Sequence, residues 1–525
     1  MSRAAVFWVG MLTLGVSLML DDIAVAESQL PGNFRAEPAA YRAMRMDWWR
    51  QSKLGLLIDC EPKVSLPQSN DSNALFNSYD AAAKRFNPQE FVAAEWVDLA
   101  RRGGIKYLIA SGKTSDGFCL FDSSQTEFDI VDTSLLNRDI LKELSEECRR
   151  QGVKFGVYYS ILDQHHPDYP HGRTNNVSDA EIVRYLAYVK AQLKELVVQY
   201  DPAVLWFGDR TEPIWTVERW CDLYCYLRGL KPDIVIGIPA DSNGIDDSIA
   251  AKAGDFAVVS KRRRTKPEMD WQACVSIRDI YTGACRSGKD LLCELIEVVS
   301  CGGNGLLRIS LSADGKLPVE VFRQMRDIGV WMQTNGDSIY GTTSSQFHYL
   351  PFGRSTTKGN RIYLQIFDWP SDGRVVLPGL MSNPISATFL KAPNVPIGIT
   401  LERMDVVLAV PDVSSDPLAV TIELEFKDEP EIIYGPEIFP EITEFVVPID
   451  IAFNGFVADS FYKIYYTLDG SDPNTSSLYY EEPFTLRDSA TISCQKIASN
   501  GTLLSPISRK IFIRKLQPQE KDKPQ

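Results

Sequence analysis

The sequence predicts an α/β fold: a (β/α)8-like (TIM) barrel followed by a β-sandwich and a small C-terminal β domain. Three observations predict it. Short apolar runs alternate with longer amphipathic stretches from about Asp47 to Gly341. Beyond Gly341 the helical periodicity gives way to short alternating runs punctuated by Pro and Gly. A Pro- and Glu-rich segment then separates a last β region, and a chain of 525 residues is too long for one hydrophobic core.

The strand–helix units define the first domain, which we predict at residues 27–342. A strand at 105–110 is followed by a helix at 138–151 that ends at Gly152, and then by a strand at 153–159. A long helix at 181–200 and a strand at 204–207 come next, followed by a helix at 215–229 and a strand at 233–237. Units that repeat every ~40 residues imply a parallel sheet, and about 300 residues of them favour a closed barrel.

Alternation of apolar and polar residues predicts strands in the second region. Runs at 361–366 and 420–426 alternate with a period of two, as half-buried strands do, and they predict a β-sandwich at residues 343–428. Residues 429–448 are predicted to be a linker, and residues 449–514 a third, small β domain. The charged, Pro-rich tail at residues 515–525 is predicted to be disordered.

The N-terminus has the composition of a signal peptide at residues 1–26. A basic start at Met1-Ser2-Arg3 precedes a charge-free apolar run at residues 4–20, and Ala24-Val25-Ala26 supplies the small residues that a signal peptidase needs. We therefore expect export to an extracellular, periplasmic or lumenal location, with a mature chain that begins near Glu27. The alternative is an uncleaved membrane anchor. No second apolar run is long enough to span a membrane, so no span is expected in the mature chain.

The net charge and the cysteine spacing restrict which ligands, metals and macromolecules this chain is expected to bind. The formal net charge is −14 and the pI is about 5.0, which disfavours nucleic acid and anionic membranes. Such a chain suits a neutral carbohydrate, although acidity by itself selects no ligand. The 10 cysteines follow no disulfide framework, and no His/Cys group has the spacing of metal ligands, so we predict neither a metal site nor a cofactor. Nothing in the sequence fixes the oligomeric state.

An ordered set of motifs runs along the first domain. The motifs are DWW (47–49), KLGL (53–56), RFNP (85–88), DGFCL (116–120), RDILKEL (138–144), FGVYYS (155–160), HHPDY (165–169) and VSCGGNGLL (299–307). Together they resemble the family 29 glycoside hydrolases, the α-L-fucosidases. The resemblance implies a barrel, a retaining mechanism and a role in the metabolism of fucosyl glycans.

The last domain carries a second resemblance. Its segment IYYTLDGSDP (464–473) resembles the YTLDGSDP motif of chitobiase-type C-terminal domains. Asp469-Gly470 is also a favourable hairpin turn by its backbone preferences alone. Such domains accompany exported carbohydrate-active proteins, but the resemblance does not imply that this domain binds sugar.

The residues that the resemblance assigns to catalysis are mostly replaced. A retaining hydrolase needs a carboxylate nucleophile and a second carboxyl group as acid/base. The family's nucleophile follows its strand as WFDG or WSDG, whereas this chain reads LWFGDR (205–210), with Gly208 at the nucleophile position and Asp209 next. Asp209 is either a displaced nucleophile or a partner of Arg210 or of the following turn. The family's Trp-Glu acid/base pair reads Trp271-Gln272, and glutamine cannot donate a proton at a useful pKa.

Positions that hold the sugar in the family are changed as well. The family's KHHDG reads KTSDG (113–117), its DWHH reads DQHH (163–166), and its IHWG reads IDCE (58–61). From these positions and the neighbouring strand ends we predict substrate contacts by Thr114, Ser115, Asp116, Tyr159, Gln164, His165, Trp206, Trp271 and Gln272. Asp59 and Glu61 are new carboxylates at the end of the first strand, where barrel chemistry sits, and with Asp209 they are the candidate catalytic residues. The alternative is that they are loop charges paired with Lys63 and Lys113.

Three functions are open at this point. The resemblance favours an exported α-L-fucosidase-family glycoside hydrolase with lost or altered catalysis. The alternatives are a non-catalytic glycan-binding protein on the same scaffold and a cell-surface structural protein. Because the replacement residues are mostly polar, we expect the barrel mouth to remain a pocket that binds carbohydrate.

Overall fold

Eight parallel strands pair in sequence order and close into a barrel. The computed structural model describes residues 37–60, 81–169, 177–208, 214–240, 253–259, 269–279, 284–312, 314–347, 350–411, 418–440, 442–456 and 461–515. The chain divides into two compact units, Met1–Ser344 and Ser345–Gln525, and the barrel belongs to the first. Its strands are β1 (Leu54–Asp59), β2 (Tyr107–Lys113), β3 (Lys154–Ser160), β4 (Val204–Gly208), β5 (Val235–Pro239), β6 (Phe256–Val259), β7 (Trp271–Ser276) and β8 (Asn304–Ser310). Strand β8 pairs with β1, which confirms the predicted closed barrel.

Helices connect many of these strands. They are α1 (Ala39–Ser52), α2 (Ala93–Arg102), α3 (Ile140–Gln151), α4 (Asp179–Tyr200), α5 (Val217–Leu230), α6 (Gly288–Ser300) and α7 (Val319–Asn335). Local signals set their ends. The Asp139 carboxylate accepts the Lys142 N–H at the start of α3, and Gly152 ends that helix in the left-handed conformation with φ of 72°. Ser178 and Glu181 form a capping box at the start of α4.

The strand residues that face inward fill the barrel. Successive side chains of a strand point to opposite faces, so alternate residues enter the interior. On β4 the inward positions are Val204, Trp206 and Gly208. The first two pack in an interior cluster with Met46, Trp49, Leu57, Tyr107, Ile109, Val235, Phe256 and Leu306. The interior is therefore packed, and the place for chemistry in such a barrel is its mouth, where the carboxyl ends of the strands lie.

The second unit begins with two antiparallel sheets that share one core. Their orders are β12-β15-β10-β9 and β11-β14-β13. The strands are β9 (Gly353–Lys358), β10 (Arg361–Ile366), β11 (Arg374–Pro378), β12 (Ser386–Phe389), β13 (Gly398–Glu402), β14 (Asp405–Ala409) and β15 (Val420–Glu425). Both sheets contribute to one cluster of buried residues, which includes Leu364 and Leu424 from the first sheet and Leu377 and Leu408 from the second. This is the arrangement of a sandwich.

The remaining sheets form the last β region. Their orders are β16-β18-β21 and β17-β23-β22-β19-β20. The strands are β16 (Ile438–Phe439), β17 (Glu444–Phe445), β18 (Ile449–Phe453), β19 (Tyr462–Thr467), β20 (Leu478–Tyr479), β21 (Phe484–Leu486), β22 (Ala490–Ala498) and β23 (Ser508–Arg514). Strands β16 and β17 lie inside the segment predicted as a linker and pair with β18 and β23. Two-residue strands are too short to show a periodicity in the sequence.

Two predictions about the ends of the chain fall largely on residues that the structure does not describe. The proposed signal peptide, residues 1–26, and most of the tail, residues 516–525, lie outside the described ranges. Among the residues that are described, no helix combines the length and apolar character needed to cross a membrane.

Candidate functional site

Asp59 and Arg308 form an ion pair at the mouth, across the seam where the barrel closes. Asp59 is the last residue of β1, and Arg308 lies on β8. The Arg308 Nε donates to Asp59 Oδ2 at 2.8 Å, and a second guanidinium N–H donates to the same oxygen. The Ser111 hydroxyl of β2 donates to Asp59 Oδ1 at 3.3 Å. Asp59 therefore pairs with Arg308 rather than with Lys113, while Lys63 lies outside the described residues.

The nucleophile position, Gly208, faces the interior and lies against an aromatic ring. Gly208 is the last residue of β4, and it points to the same face of the strand as Val204 and Trp206 because residues two apart share a face. A Cβ atom added to Gly208 would lie 2.1 Å from Cε2 and 2.8 Å from the hydroxyl oxygen of Tyr158. Tyr158 is on the adjacent strand β3, and its ring centroid is 5.3 Å from that of Trp206. The Tyr158 ring therefore occupies the space that a nucleophile side chain would need.

Trp206 supplies an aromatic wall and an unused donor. Its side chain faces the interior, and the residue is 7% exposed. Its indole N–H is buried and finds no acceptor within the described part of the chain. A buried donor without an acceptor costs free energy, so this N–H favours an oxygen acceptor from a ligand or a water. The ring adds the apolar surface on which a sugar face can stack.

The loop after β2 holds three of the predicted substrate-binding residues in a tight turn. The Thr114 hydroxyl donates to the Asp116 carboxylate, and the Thr114 N–H donates to the Phe118 carbonyl at 3.1 Å. The Ser115 carbonyl accepts the N–H of Gln164, from the loop after β3, at 3.2 Å. Thr114 and Asp116 are buried, and their side chains bond within the turn. They hold the loop in shape, whereas Gln164 is exposed.

A buried ion pair ties this loop to the loop after β3. The β2 register shifts after Ser111, and the Lys113 ammonium donates to Asp163 Oδ2 at 3.0 Å. The two side chains are 0% and 1% exposed. Asp163 Oδ1 also accepts the backbone N–H groups of His165 and His166 at 3.1 and 2.9 Å. One carboxylate thus holds a cation and two amides of the neighbouring loop.

At Gly117 the loop after β2 lies directly against the loop after β3. Its φ of +95° favours glycine, and a Cβ atom there would lie 2.2 Å from Asp163 Oδ1 and 2.9 Å from His165 Cβ. The His165 ring stacks on Phe128, with centroids 4.1 Å apart and 9° between the planes. His165, a predicted substrate contact, is therefore fixed in position by its neighbours.

Tyr159, also predicted to contact substrate, faces away from the mouth. It is fully buried, and its hydroxyl donates to Gln192 Oε1 of α4 at 2.7 Å. Burial raises the pKa of Tyr159 well above its usual range, so the phenol stays neutral. Because strand residues alternate, its neighbour Tyr158 faces the mouth instead.

Trp271 and Gln272 lie near the amino ends of the strands, away from the mouth. They begin β7, and the Gln272 amide donates to the hydroxyl of Tyr107, the first residue of β2. Its Oε1 has no donor among the described residues. The β7 residue opposite Arg308 is Ser276, four residues further on. Four strand residues span about 13 Å, so Gln272 lies too deep for an acid/base position, and Trp271 is buried on the opposite face of the strand.

The other two candidate catalytic residues stay predictions. Asp209 and Glu61 lie outside the described residues. Within the described ranges, no group of three or more His, Cys, Asp or Glu residues could hold a metal ion.

Sequence reasoning missed three residues of the mouth, and two of them had a usable signal. Arg308 is a charged residue within the otherwise apolar run of strand β8, directly after the motif VSCGGNGLL. Ser111 is in phase with the inward residues Tyr107 and Ile109 of the same strand. Nothing in the sequence distinguishes Tyr158, which points into the barrel, from Tyr159, which points outward.

Comparisons with known proteins agree with the barrel and its motifs. Residues 24–337 match the family model described as alpha-L-fucosidase, and residues 458–512 match a model described as Fn3 associated. The plasma α-L-fucosidase of Rattus norvegicus is 29% identical over 319 residues, which cover 57% of this chain and 68% of that protein. The α-L-fucosidase of Dictyostelium discoideum is 26% identical over 359 residues, which cover 64% and 77%.

The solved structures give the same result. The structure of α-L-fucosidase isoenzyme 1 from Paenibacillus thiaminolyticus is 27% identical, with a TM-score of 0.64. The match covers 74% of this chain and 100% of that one. The alpha-L-fucosidase model spans more than half of the chain, over the same residues that form the closed barrel. The chain therefore belongs to the α-L-fucosidase family of glycoside hydrolases.

Proposed function

We propose that this chain engages a fucosyl glycan or a related carbohydrate at its barrel mouth, and that the family's catalysis is lost or altered. The observation that carries the proposal is the pair Gly208 and Tyr158. The strand position that faces the mouth has no carboxylate, and an aromatic ring fills its space. A retaining glycosidase forms its covalent intermediate on that carboxylate, so the covalent route has no nucleophile at this position.

The mouth keeps the groups that sugar binding needs. Trp206 and Tyr158 are adjacent aromatic rings, and the Trp206 N–H is a donor without an acceptor among the described residues. The Arg308 side chain, which is 43% exposed, lies on β8 toward the same end of the barrel. A few convergent polar groups next to aromatic walls are typical of a pocket that binds a small polar ligand.

Asp59 is the candidate catalytic carboxylate that the structure describes, and its surroundings suit a positioning role. One of its oxygens accepts two N–H groups of Arg308, and the other accepts the Ser111 hydroxyl. Both oxygens are therefore already engaged as acceptors of hydrogen bonds from within the protein. Asp209 and Glu61 remain candidates for an altered hydrolysis. If none of these carboxylates is catalytic, the chain would bind a glycan without hydrolysing it.

Export is part of the same proposal. Its support is the charge-free apolar run at residues 4–20, followed by Ala24-Val25-Ala26. An exported protein of this family would meet glycans outside the cytoplasm.

Sugar binding can be tested by a glycan array followed by calorimetry with L-fucose, D-galactose and the array's best oligosaccharide. We expect binding, and we expect Trp206→Phe to weaken it about fivefold, because one hydrogen bond to a ligand oxygen is lost while an aromatic wall stays. Trp220→Phe is the matched control, since Trp220 is also buried with an N–H that lacks an acceptor in the described chain, but it packs against Phe207 on the outer face of β4. Failure of every glycan to bind would contradict the proposal, and so would a Trp206→Phe variant that binds as tightly as the parent.

A further inference from the structure

We propose that His166 is a positioning residue of the barrel mouth: its uncharged imidazole holds the loop after β3 in shape, so acid opens this loop and weakens ligand binding. The link to binding rests on the proposed function, because the loop, residues 161–169, carries Gln164 and His165. The observation behind it is that the Asp168 N–H donates to His166 Nδ1 at 3.2 Å. A ring nitrogen accepts a hydrogen bond only while it carries no proton, so this contact exists only with an uncharged imidazole.

Two aromatic rings of α4 contact the imidazole. The Tyr188 ring centroid lies 4.4 Å from the His166 ring centroid, and the Tyr185 centroid lies 5.3 Å from it. Tyr185 is buried, and its hydroxyl donates to the carbonyl of Ile161, the first residue after β3, at 2.7 Å. The imidazole therefore packs the loop against α4, and the loop keeps this position while the ring keeps its contacts with the tyrosines and with the Asp168 N–H.

Charged groups face the imidazole from its own loop and from the elements packed against it. They are Asp163, Asp168 and His165 of the loop and Lys113 of β2, with Arg184 of α4 paired to Asp168. Each of the two carboxylates already has a cation, so neither needs a charge on the imidazole. Burial lowers the pKa of His166, although both carboxylates act to raise it. The two tyrosines stay neutral, because burial raises the pKa of Tyr185 and of Tyr188 above the usual range.

The direction of the pH effect follows from the two states of the loop. In the closed loop the pKa of His166 lies below its ordinary value, and in an opened loop the imidazole meets water and returns to about 6.5. The closed loop is therefore fully favoured above about pH 6.5, and it loses this advantage as the pH falls toward the pKa of the closed loop, because the open loop binds the proton more readily. Since the loop carries Gln164 and His165, binding at the mouth should weaken when it opens.

Hydrogen exchange on the full chain, read by mass spectrometry of peptides from the loop, tests the opening without any ligand. Exchange rates at about pH 7.5 and about pH 5 are compared after correction for the intrinsic effect of pH on amide exchange. We expect the opening constant of the parent to rise about tenfold at the lower pH, within the limit of about thirtyfold that an ordinary imidazole pKa sets. His166→Asn places an amide oxygen where Nδ1 stands and cannot titrate in this range, so its loop should open equally at both pH values.

The adjacent histidine gives the matched control. The His165 ring stacks on Phe128, and His165→Asn should keep the tenfold rise in opening that the parent shows. A parent loop that opens equally at both pH values, or a His166→Asn loop that still opens in acid, would overturn this inference and leave the proposed function standing.

Calorimetry with the best oligosaccharide of the glycan array then tests the link to binding. We expect the parent to bind about tenfold more weakly at about pH 5 than at about pH 7.5, in proportion to the opening of the loop, and His166→Asn to change by less than about twofold. Binding by the parent that stays constant while its loop opens would overturn the positioning role of His166. Failure of every glycan to bind at pH 7.5 would contradict the proposed function and this link together, whereas the exchange experiment would still decide whether acid opens the loop.

Discussion

Asp163→Asn should lower the free energy of unfolding of the barrel unit by about 3–5 kcal/mol, because it leaves the Lys113 ammonium buried without its anion. The Lys113 Nζ lies 3.0 Å from Asp163 Oδ2, and neither side chain is more than 1% exposed. The face of the Tyr159 ring, whose centroid is 4.6 Å from Nζ, is too weak to replace a full negative charge. Urea denaturation followed by circular dichroism measures the effect.

A second aspartate of the same loop gives the matched control. Asp168 pairs with Arg184 at 2.5 Å, and the Arg184 side chain is 58% exposed. Exposed ion pairs contribute about 0–1 kcal/mol, so Asp168→Asn should be nearly neutral. If the two variants lost the same free energy of unfolding, burial of the Lys113–Asp163 pair would not account for the effect.

Asp163→Asn should also loosen the loop that carries Gln164 and His165, since Asp163 accepts the His165 N–H.

Gly208→Asp should lower the free energy of unfolding by about 1–3 kcal/mol and should create no fucosidase activity. The new Cβ would start 2.1 Å from the Tyr158 ring, which has the Trp206 ring beside it. The phenol must move or the strand must shift, and in either case the carboxylate does not gain the open space that a nucleophile needs. Urea denaturation and a chromogenic α-L-fucoside assay measure the two effects.

A double-mutant cycle shows whether contact with Tyr158 causes the loss of unfolding free energy in Gly208→Asp. Gly208→Asp in a Tyr158→Ala background should cost less than in the parent, by a coupling energy within the range of about 0.5–3 kcal/mol seen for residues in contact. Gly229→Asp is the control, because Gly229 has open space around its Cβ position. A Gly208→Asp penalty that is the same in both backgrounds would show that Tyr158 does not occupy the nucleophile position.

The barrel could be predicted because its elements carry local signals. The helix predicted at 138–151 begins at a capping aspartate and ends at Gly152, and the structure places α3 at Ile140–Gln151. The strands predicted at 204–207 and 361–366 correspond to β4 and β10. Caps, glycines and apolar runs act over a few residues, so a sequence displays them directly.

The sequence could not predict which side chains of a barrel strand point into the barrel and which point outward. Strands of a parallel barrel are buried on both faces and show little polar alternation. The run FGVYY at 155–159 is apolar or aromatic apart from glycine, so Tyr158 and Tyr159 look equivalent in the sequence. Only their contacts separate them, Trp206 for the first and Gln192 for the second.

Two further features could not be predicted from the sequence: the position of a residue along the barrel axis, and contacts between residues far apart in the chain. A motif match assigns Gln272 to a strand but does not say how far along the barrel axis it lies, and its bond to Tyr107 places it near the amino ends. Asp59 and Arg308 are 249 residues apart. Each was visible as a single substitution, but closure of β8 on β1 is what brings them together.

The most direct measurement of whether the family's covalent route operates is hydrolysis of a chromogenic α-L-fucoside by the purified chain. Because the inward position at the end of β4 is Gly208 and the Tyr158 ring covers it, we expect no turnover above background. Turnover at the rates usual for enzymes, on the order of 1 per second or faster, would contradict this. In that case Asp209→Asn, and Asp59→Asn with Glu61→Gln, would identify the carboxylate responsible.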